Sequence, residues 1–328
     1  MNCLVVLHER DSSQVSAIKR FFKSEKIPCI IRLSSTDVYE KRYYENVWEM
    51  WALAKEKEEL NSKLKIKWFI LGDDDTFWFL EHLLLHLEPF QFQKPIYLGD
   101  ITDALDSRKI WGEDFAYGGG GIVLSRGLVS LLQENSRDCE FQNKGIGGDA
   151  ILGRCIQKLN VSLTRNSYFH QVDFSKDATG FFESGLQNLI SLHHLQSWAK
   201  VFPLHHLNDT EEILGLLDFG SSILGSDFLR RRIWTDLSLN QSFVLTNGYS
   251  LTSYNRSLNS KELLKAERTW EGDAGVGFPS KPKVDNLQRF YLFSITRVTL
   301  NLYSFIYKES SSGKINSPLM QVFWGRAS

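Results

Sequence analysis

Residues 65–71, Lys-Ile-Lys-Trp-Phe-Ile-Leu, form an apolar run that ends on Gly72 and then on three adjacent carboxylates, Asp73, Asp74 and Asp75. Like charges at that spacing repel, and folding gains nothing from clustering them unless a cation or a cationic ligand sits beside them. A divalent metal is the natural partner. The local alternative is a solvated turn with Thr76 capping the next helix, because Asp favours turns and helix starts on its own account. Further candidates lie along the chain. Asp149 follows Gly147-Gly148 and opens a helix, where an N-cap role accounts for it as well as a catalytic one does. His193 and His194 end an apolar run over residues 189–195. Neighbours on a strand face opposite ways, so at most one of the two should reach a given site, leaving the other structural. Gly118, Gly119, Gly120 and Gly121 let the backbone approach something closely, or else form a flexible hairpin; their spacing is not that of a Walker loop or a dinucleotide fingerprint.

These groups need a scaffold, and the first half of the chain spells one. Strand patterns at residues 3–7, 29–33, 68–71 and 95–98 alternate with helical patterns at 13–26, 40–60 and 76–87. That rhythm predicts an α/β fold, a mainly parallel sheet with helices on both faces. Trp68, Phe69, Ile70 and Leu71 are uninterrupted, as for a strand covered on both sides. The acids then fall at the carboxyl end of a strand, where open α/β sheets bind ligands. From about Leu207 the helical rhythm fades. Residues 235–254, with Asn247-Gly248 as a turn, read as a hairpin, and 285–307 as further strands. The expected organisation is a domain over residues 1–206 carrying the chemistry and a smaller β-rich subdomain over 207–328.

With 328 residues, 42% apolar and 13% aromatic, the chain has ample material for a core. A net charge of −1 and a pI near 6.7 give no general attraction to nucleic acid or to anionic membranes. No run reaches the roughly 18 apolar residues a membrane span requires; Arg289 and Arg297 interrupt the longest apolar stretch. The first residues read as a β-strand, without a basic leader or cleavage site. Asn-x-Ser/Thr sequons at Asn160, Asn208, Asn240 and Asn255 suit a secretory-pathway surface. Cys139 and Cys155 flank the Gly145-Ile146-Gly147-Gly148-Asp149 loop, which a bridge between them would clamp; the alternative is two reduced buried thiols. Cys3 and Cys29 read as core.

Taken in order, Trp68-Phe69-Ile70-Leu71-Gly72-Asp73-Asp74-Asp75-Thr76, Tyr117-Gly118-Gly119-Gly120-Gly121-Ile122-Val123-Leu124-Ser125, Gly147-Gly148-Asp149-Ala150-Ile151-Leu152-Gly153 and Ser191-Leu192-His193-His194-Leu195 resemble the Fringe-like β-1,3-glycosyltransferases. Phe169-His170-Gln171 and Leu245-Thr246-Asn247-Gly248-Tyr249-Ser250 look like a branch of that family found in fungi and plants. The resemblance implies a GT-A fold and inverting transfer of a sugar from a UDP-sugar donor, with Mn²⁺, to a hydroxyl of a glycan or glycoprotein. It implies that Asp75 and His193 bind the metal, that Asp73 and Asp74 contact the donor or hold water on the ion, that Gly119 and Gly120 admit the donor, and that Asp149 is the general base. It also implies a Golgi or secretory-lumen location and a membrane-anchored full-length form, whose tail, anchor and stem are not in this sequence. Two other readings compete. One is a non-catalytic or truncated GT-A-fold sugar-binding protein. The other is metal-dependent phosphoryl transfer, which lacks the Asp-x-Asp nucleophile it would need at the first strand.

Overall fold

A computed structural model describes residues 3–8, 29–34, 41–135, 146–195, 199–202, 210–272, 280–282, 287–309 and 318–325. The expected helix over 13–26, and Cys139, lie outside them. The chain divides into two compact units. The first comprises residues 1–173, 189–195 and 273–275; the second comprises 174–188, 196–272 and 276–328. The expected boundary after residue 206 thus falls inside the second unit.

The first unit is built on a six-stranded sheet of order β2-β1-β3-β6-β5-β7. Its strands are β1 (Cys3–His8), β2 (Cys29–Ser34), β3 (Trp68–Asp73), β5 (Tyr97–Gly99), β6 (Ile122–Ser125) and β7 (Leu163–Arg165). The α/β class holds, and the sheet is mainly parallel with one antiparallel strand. β1 is parallel to β2 and β3, and β5 to β7, while β6 runs antiparallel to both β3 and β5. Trp68, Phe69, Ile70 and Leu71 are all buried, as their unbroken apolar sequence predicts. On one side of the sheet, helix α1 (Arg42–Leu60) brings Tyr43, Val47, Met50 and Ala54 into a core with Phe69, Leu71, Ile122 and Leu124. Helices α4 (Arg126–Glu134) and α5 (Gly148–Lys158) join it through Leu128, Leu132, Leu152 and Ile156. Burial of side chains this size is worth on the order of 2 kcal/mol each, which pins the carboxyl end of β3 and the acids that follow it.

Two local expectations are corrected by tertiary pairing. Residues 76–87 do not form one helix: Phe77 and Trp78 form β4 (Phe77–Trp78), and helix α2 (Leu80–Leu87) starts after Phe79 without a side-chain cap. The strand β10 (Ser191–Leu192) pairs antiparallel with β4 and parallel with β8 (Phe169–His170), and so competes successfully for that backbone. Likewise the apolar run 189–195 is strand only over β10, and His193 and His194 lie beyond its end. Helix α3 (Leu105–Trp111) completes the unit.

The four glycines form a turn between Tyr117 and β6, closed by the N–H of Gly121 donating to the Gly118 carbonyl at 3.0 Å. What approaches this backbone is the protein itself. A Cβ on Gly118 would fall within the Tyr43 ring, one on Gly119 within the His193 imidazole, and one on Gly121 within the Trp78 indole. Gly121 also has φ of 105°, a conformation that side chains oppose.

The second unit carries a six-stranded antiparallel sheet, β12 (Arg231–Asp236), β13 (Gln241–Thr246), β14 (Ser250–Tyr254), β18 (Leu287–Arg297), β19 (Leu302–Glu309) and β20 (Leu319–Gly325). The predicted Asn247-Gly248 turn joins β13 to β14, with Gly248 at φ 72°. Two small sheets accompany it: β11 (Ala199–Lys200), β9 (Ser175–Asp177) and β16 (Trp270–Glu271) in one, and β15 (Ala266–Arg268) with β17 (Ser280–Pro282) in the other. So do the short α6 (Thr179–Phe182) and α8 (Ser260–Leu263). Helix α7 (Thr210–Leu224), of 15 residues, was not expected; Gly215 and Gly220 interrupt its apolar periodicity in the sequence. From β18, Arg289 bonds Glu183 at 3.1 Å and Glu267 at 3.3 Å, all three buried. Ser250 and Thr252 donate to Glu183, and Tyr254 to Glu267.

Two stability measurements follow from this packing. Gly119→Ala should lower the urea unfolding free energy by about 2 kcal/mol or more, as overpacking against fixed groups does. Gly120→Ala, whose Cβ would meet the Gln171 backbone at 3.2 Å, should cost less; equal costs would contradict the contact with His193. Arg289→Leu should cost about 3–5 kcal/mol, because it leaves two buried carboxylates without their cation.

Candidate metal and donor site

The end of β3 runs directly into the three acids. The N–H of Asp73 donates to Thr76 Oγ1 at 2.9 Å, and that hydroxyl donates to the Gly119 carbonyl at 2.8 Å. Thr76 therefore ties the acidic turn to the glycine turn; it does not cap a helix. Tyr43 Oη donates to Asp73 Oδ1 at 2.7 Å. Asp73 and Asp74 are buried and Asp75 is partly buried, so the simple solvated turn does not describe this segment.

His193 and His194 both reach Asp75, against the expectation that one would turn away. Strand alternation does not apply to them, because β10 has ended and His194 is in the left-handed region at φ 57°. Their rings lie 3.7 Å apart, centroid to centroid. His193 Nε2 is 2.9 Å from Asp75 Oδ1 and 3.7 Å from Asp73 Oδ2; His194 Nδ1 is 3.4 Å from Asp75 Oδ2. The ligand atoms of Asp75, His193 and His194 all lie within 4.8 Å of one another.

Burial opposes ionisation of Asp75, but the two imidazoles outweigh it and hold the carboxyl well below the usual carboxylate range. Burial likewise disfavours the His194 cation, and hydrogen bonds and charge from Asp173 and Asp75 raise its pKa to about 9. The metal-free cluster is thus a compensated set of carboxylate and imidazolium.

A metal would fit this place. His193 Nδ1 donates to the Gln171 carbonyl at 3.1 Å, which orients the ring so that Nε2 faces Asp75. That Nε2 is buried and makes no hydrogen bond, although Asp75 lies 2.9 Å away. A buried imidazole nitrogen facing a carboxylate, with its other nitrogen held by a backbone carbonyl, is the arrangement of a metal ligand.

Asp149 reaches the glycine turn from another element. It lies in the first turn of α5, whose N-cap is Gly147, so the cap role anticipated for Asp149 falls to a neighbour. Its Oδ2 accepts the Gly118 N–H at 2.8 Å and its Oδ1 the Ala150 N–H at 2.9 Å. Burial pushes its pKa up to about 6 against the pull of those two donors, and the charge on Asp73 adds to the rise. Asp149 and His193 thus meet consecutive residues of one turn, Gly118 and Gly119, about 3.8 Å apart along the backbone. Gln171 accepts the Gly120 N–H, and Ser191 donates to the Gly120 carbonyl. Cys155 is disulfide-bonded.

The structure thus brings together Asp73, Asp75, Asp149, His193, Gly119 and Gly120, with Asp74 buried in the same turn. Sequence reasoning missed Tyr43, Asp173 and the inward direction of His194, and it met Thr76 and Gln171 only as a helix cap and as part of a family-like block. His194 carried a signal as half of a histidine pair; Tyr43 and Asp173 carried none.

Over 120 residues the chain is 32% identical to a β-1,3-glucosyltransferase of Mus musculus, a match covering 36% of this chain and 24% of that protein. It is 26% identical over 156 residues to chondroitin sulfate synthase 3 of Mus musculus, covering 43% of this chain and 18% of the synthase. The chain therefore corresponds to about a quarter or less of the length of these curated relatives. A crystal structure of a glycosyltransferase involved in glycosylation of the major capsid of PBCV-1 matches 58% of this chain and 94% of its own, with a TM-score of 0.38 and 9% identity, a likeness too slight to bear on the fold. No helix among the described residues is long and apolar enough to cross a membrane. A family model described as "Protein of unknown function, DUF604" matches residues 108–281, more than half of the 328, and takes in the glycine turn, Asp149 and both histidines: the chain belongs to the DUF604 family.

Proposed function

We propose that this protein is a metal-dependent, inverting glycosyltransferase that moves a sugar from a UDP-sugar to a hydroxyl of a glycan or glycoprotein. The observation that carries the reading is the meeting of Asp149 and His193, with Asp75, on adjacent glycines of one turn. The sequence likeness to a β-1,3-glucosyltransferase and a chondroitin sulfate synthase supports the class. The first of these names favours a β-1,3 linkage, while the Fringe-like motifs favour a GT-A fold and a secretory-pathway lumen, which also suits the exposed sequon residues Asn160, Asn240 and Asn255.

Asp75 and His193 would hold the ion; carboxylate, imidazole and diphosphate oxygens together suit Mn²⁺. When bound, such an ion neutralises charge on a departing diphosphate. Asp73 and Asp74 line the same turn, where they would orient the donor. Tyr43 and Thr76 hold Asp73 in place, so its position does not depend on ligand. Asp149 would accept the proton of the acceptor hydroxyl as that oxygen attacks the anomeric carbon on the face opposite the leaving group. Each of its oxygens spends one lone pair on a backbone N–H and keeps another for the hydroxyl. A pKa near 6 leaves Asp149 ionised at neutral pH yet more basic than an ordinary carboxylate, which general-base catalysis requires.

Release of UDP from a panel of UDP-sugars, led by UDP-glucose, tests the reading. Turnover with Mn²⁺ should disappear with EDTA and in Asp75→Ala; turnover insensitive to both would overturn the metal assignment. Asp149→Asn should lower kcat by about 100-fold or more, in the range general-base catalysis contributes, while donor binding persists. In the wild type, kcat/KM should rise with pH through about 6 and level off above it, because the base works only when deprotonated and burial has raised its pKa. A flat profile between pH 5 and 7 would remove Asp149 as the base.

A further inference from the structure

The sequence directs attention to one histidine of the pair, but the geometry treats the two alike. Each ring presents one nitrogen to Asp75 and the other to an outer acceptor. For His193 the outer partner is the Gln171 carbonyl, 3.1 Å from Nδ1. For His194 it is Asp173 Oδ1, 3.5 Å from Nε2. Asp173 is itself fixed, since Thr102 Oγ1 donates to its Oδ2 at 2.7 Å and Gln171 Nε2 to its Oδ1 at 3.2 Å. Metal-bound histidines are oriented in this way, by a carbonyl or carboxylate on the far nitrogen. The spacing also fits. Two ligand atoms each about 2.1 Å from one metal lie about 3.0–3.4 Å apart, for octahedral neighbours or tetrahedral edges. His193 Nε2 stands 2.9 Å from Asp75 Oδ1 and His194 Nδ1 3.4 Å from Asp75 Oδ2, so one ion between the rings would engage both carboxylate oxygens.

We propose that Asp75, His193 and His194 form a two-imidazole, one-carboxylate site that binds a first-row transition metal without nucleotide, with Gln171 and Asp173 as positioning residues for the two rings. It rests on the reading of this cluster as the metal centre of the donor site, and it adds a third protein ligand and a selectivity. Three protein ligands hold the ion before the donor arrives and leave its remaining positions to water or diphosphate oxygens. Two imidazoles favour Co²⁺ and Zn²⁺ most, and Mn²⁺ less strongly, over Mg²⁺ and Ca²⁺, which prefer all-oxygen shells.

The test is calorimetric titration of the whole chain with Mn²⁺ and with Co²⁺, in the absence and then the presence of UDP. One ion should bind without UDP, with Mg²⁺ and Ca²⁺ at least tenfold weaker. His194→Ala should weaken binding by tenfold or more, as His193→Ala does, and Asp173→Asn by about tenfold, the usual effect of losing an outer partner. A structural role for Asp173 would lower the unfolding midpoint without changing metal affinity. His194→Gln keeps a polar side chain in the buried place if the alanine variant does not fold. Pulsed EPR of the Cu²⁺-loaded wild type, which needs no variant, should count two coordinated imidazoles. One imidazole, or unchanged affinity in the His194 variants, overturns the proposal and leaves the Asp75 and His193 site standing. Binding that appears only with UDP also overturns it but preserves the proposed function. Absence of metal binding under both conditions, together with absence of donor turnover, removes both.

Discussion

Everything at this site depends on four residues that lack a Cβ. The turn from Gly118 to Gly121 receives Tyr43 of α1, Trp78 of β4 and His193 of the segment after β10, each in space that a side chain on the turn would need. Its polar backbone groups are matched with equal economy. Asp149 takes the Gly118 N–H, Thr76 the Gly119 carbonyl, and Gln171 and Ser191 the two groups of Gly120. A buried turn without those partners would lose more in unsatisfied backbone than it gained in closeness. The glycines therefore act first as the junction on which the acids and imidazoles are assembled.

That junction separates the two carboxylates electrostatically. Asp75 is pressed between imidazoles and is held as a strong anion, whereas Asp149 has only backbone donors and a like-charged neighbour, and burial lifts its pKa to about 6. Two carboxylates whose environments drive their proton affinities apart can take different roles, one as a ligand and one as a base. The division follows from which helix or strand end each acid occupies.

The second unit solves a different problem with similar means. Its buried Arg289 lies between Glu183 and Glu267, with Ser250, Thr252 and Tyr254 completing the hydrogen bonds. Replacing such a cluster with apolar groups can be neutral, while removing one member is costly, so it enforces a single packing more than it adds stability. The family match, over residues 108–281, takes in parts of both units and excludes the acidic triplet. A model limited to that span therefore omits Asp73, Asp74 and Asp75.

Local pattern was enough for the buried strand β3, the acids at its end, the long helix α1, the Asn247-Gly248 turn and a β-rich second half. Each of these is set by periodicity or turn chemistry within a dozen residues. The sequence by itself also determined which groups could do chemistry, because three adjacent acids, a glycine cluster and a histidine pair are unusual whatever surrounds them. Tertiary structure alone decided how they act. Strand β6 was set antiparallel in the otherwise parallel sheet, and β10 drew Phe77 and Trp78 out of the expected helix. The left-handed backbone at His194 swung its ring toward Asp75, and the partners at Gln171 and Asp173 orient the two rings. Those outcomes depend on long-range pairing and on the desolvation it brings, and neither quantity is written in the order of neighbouring residues.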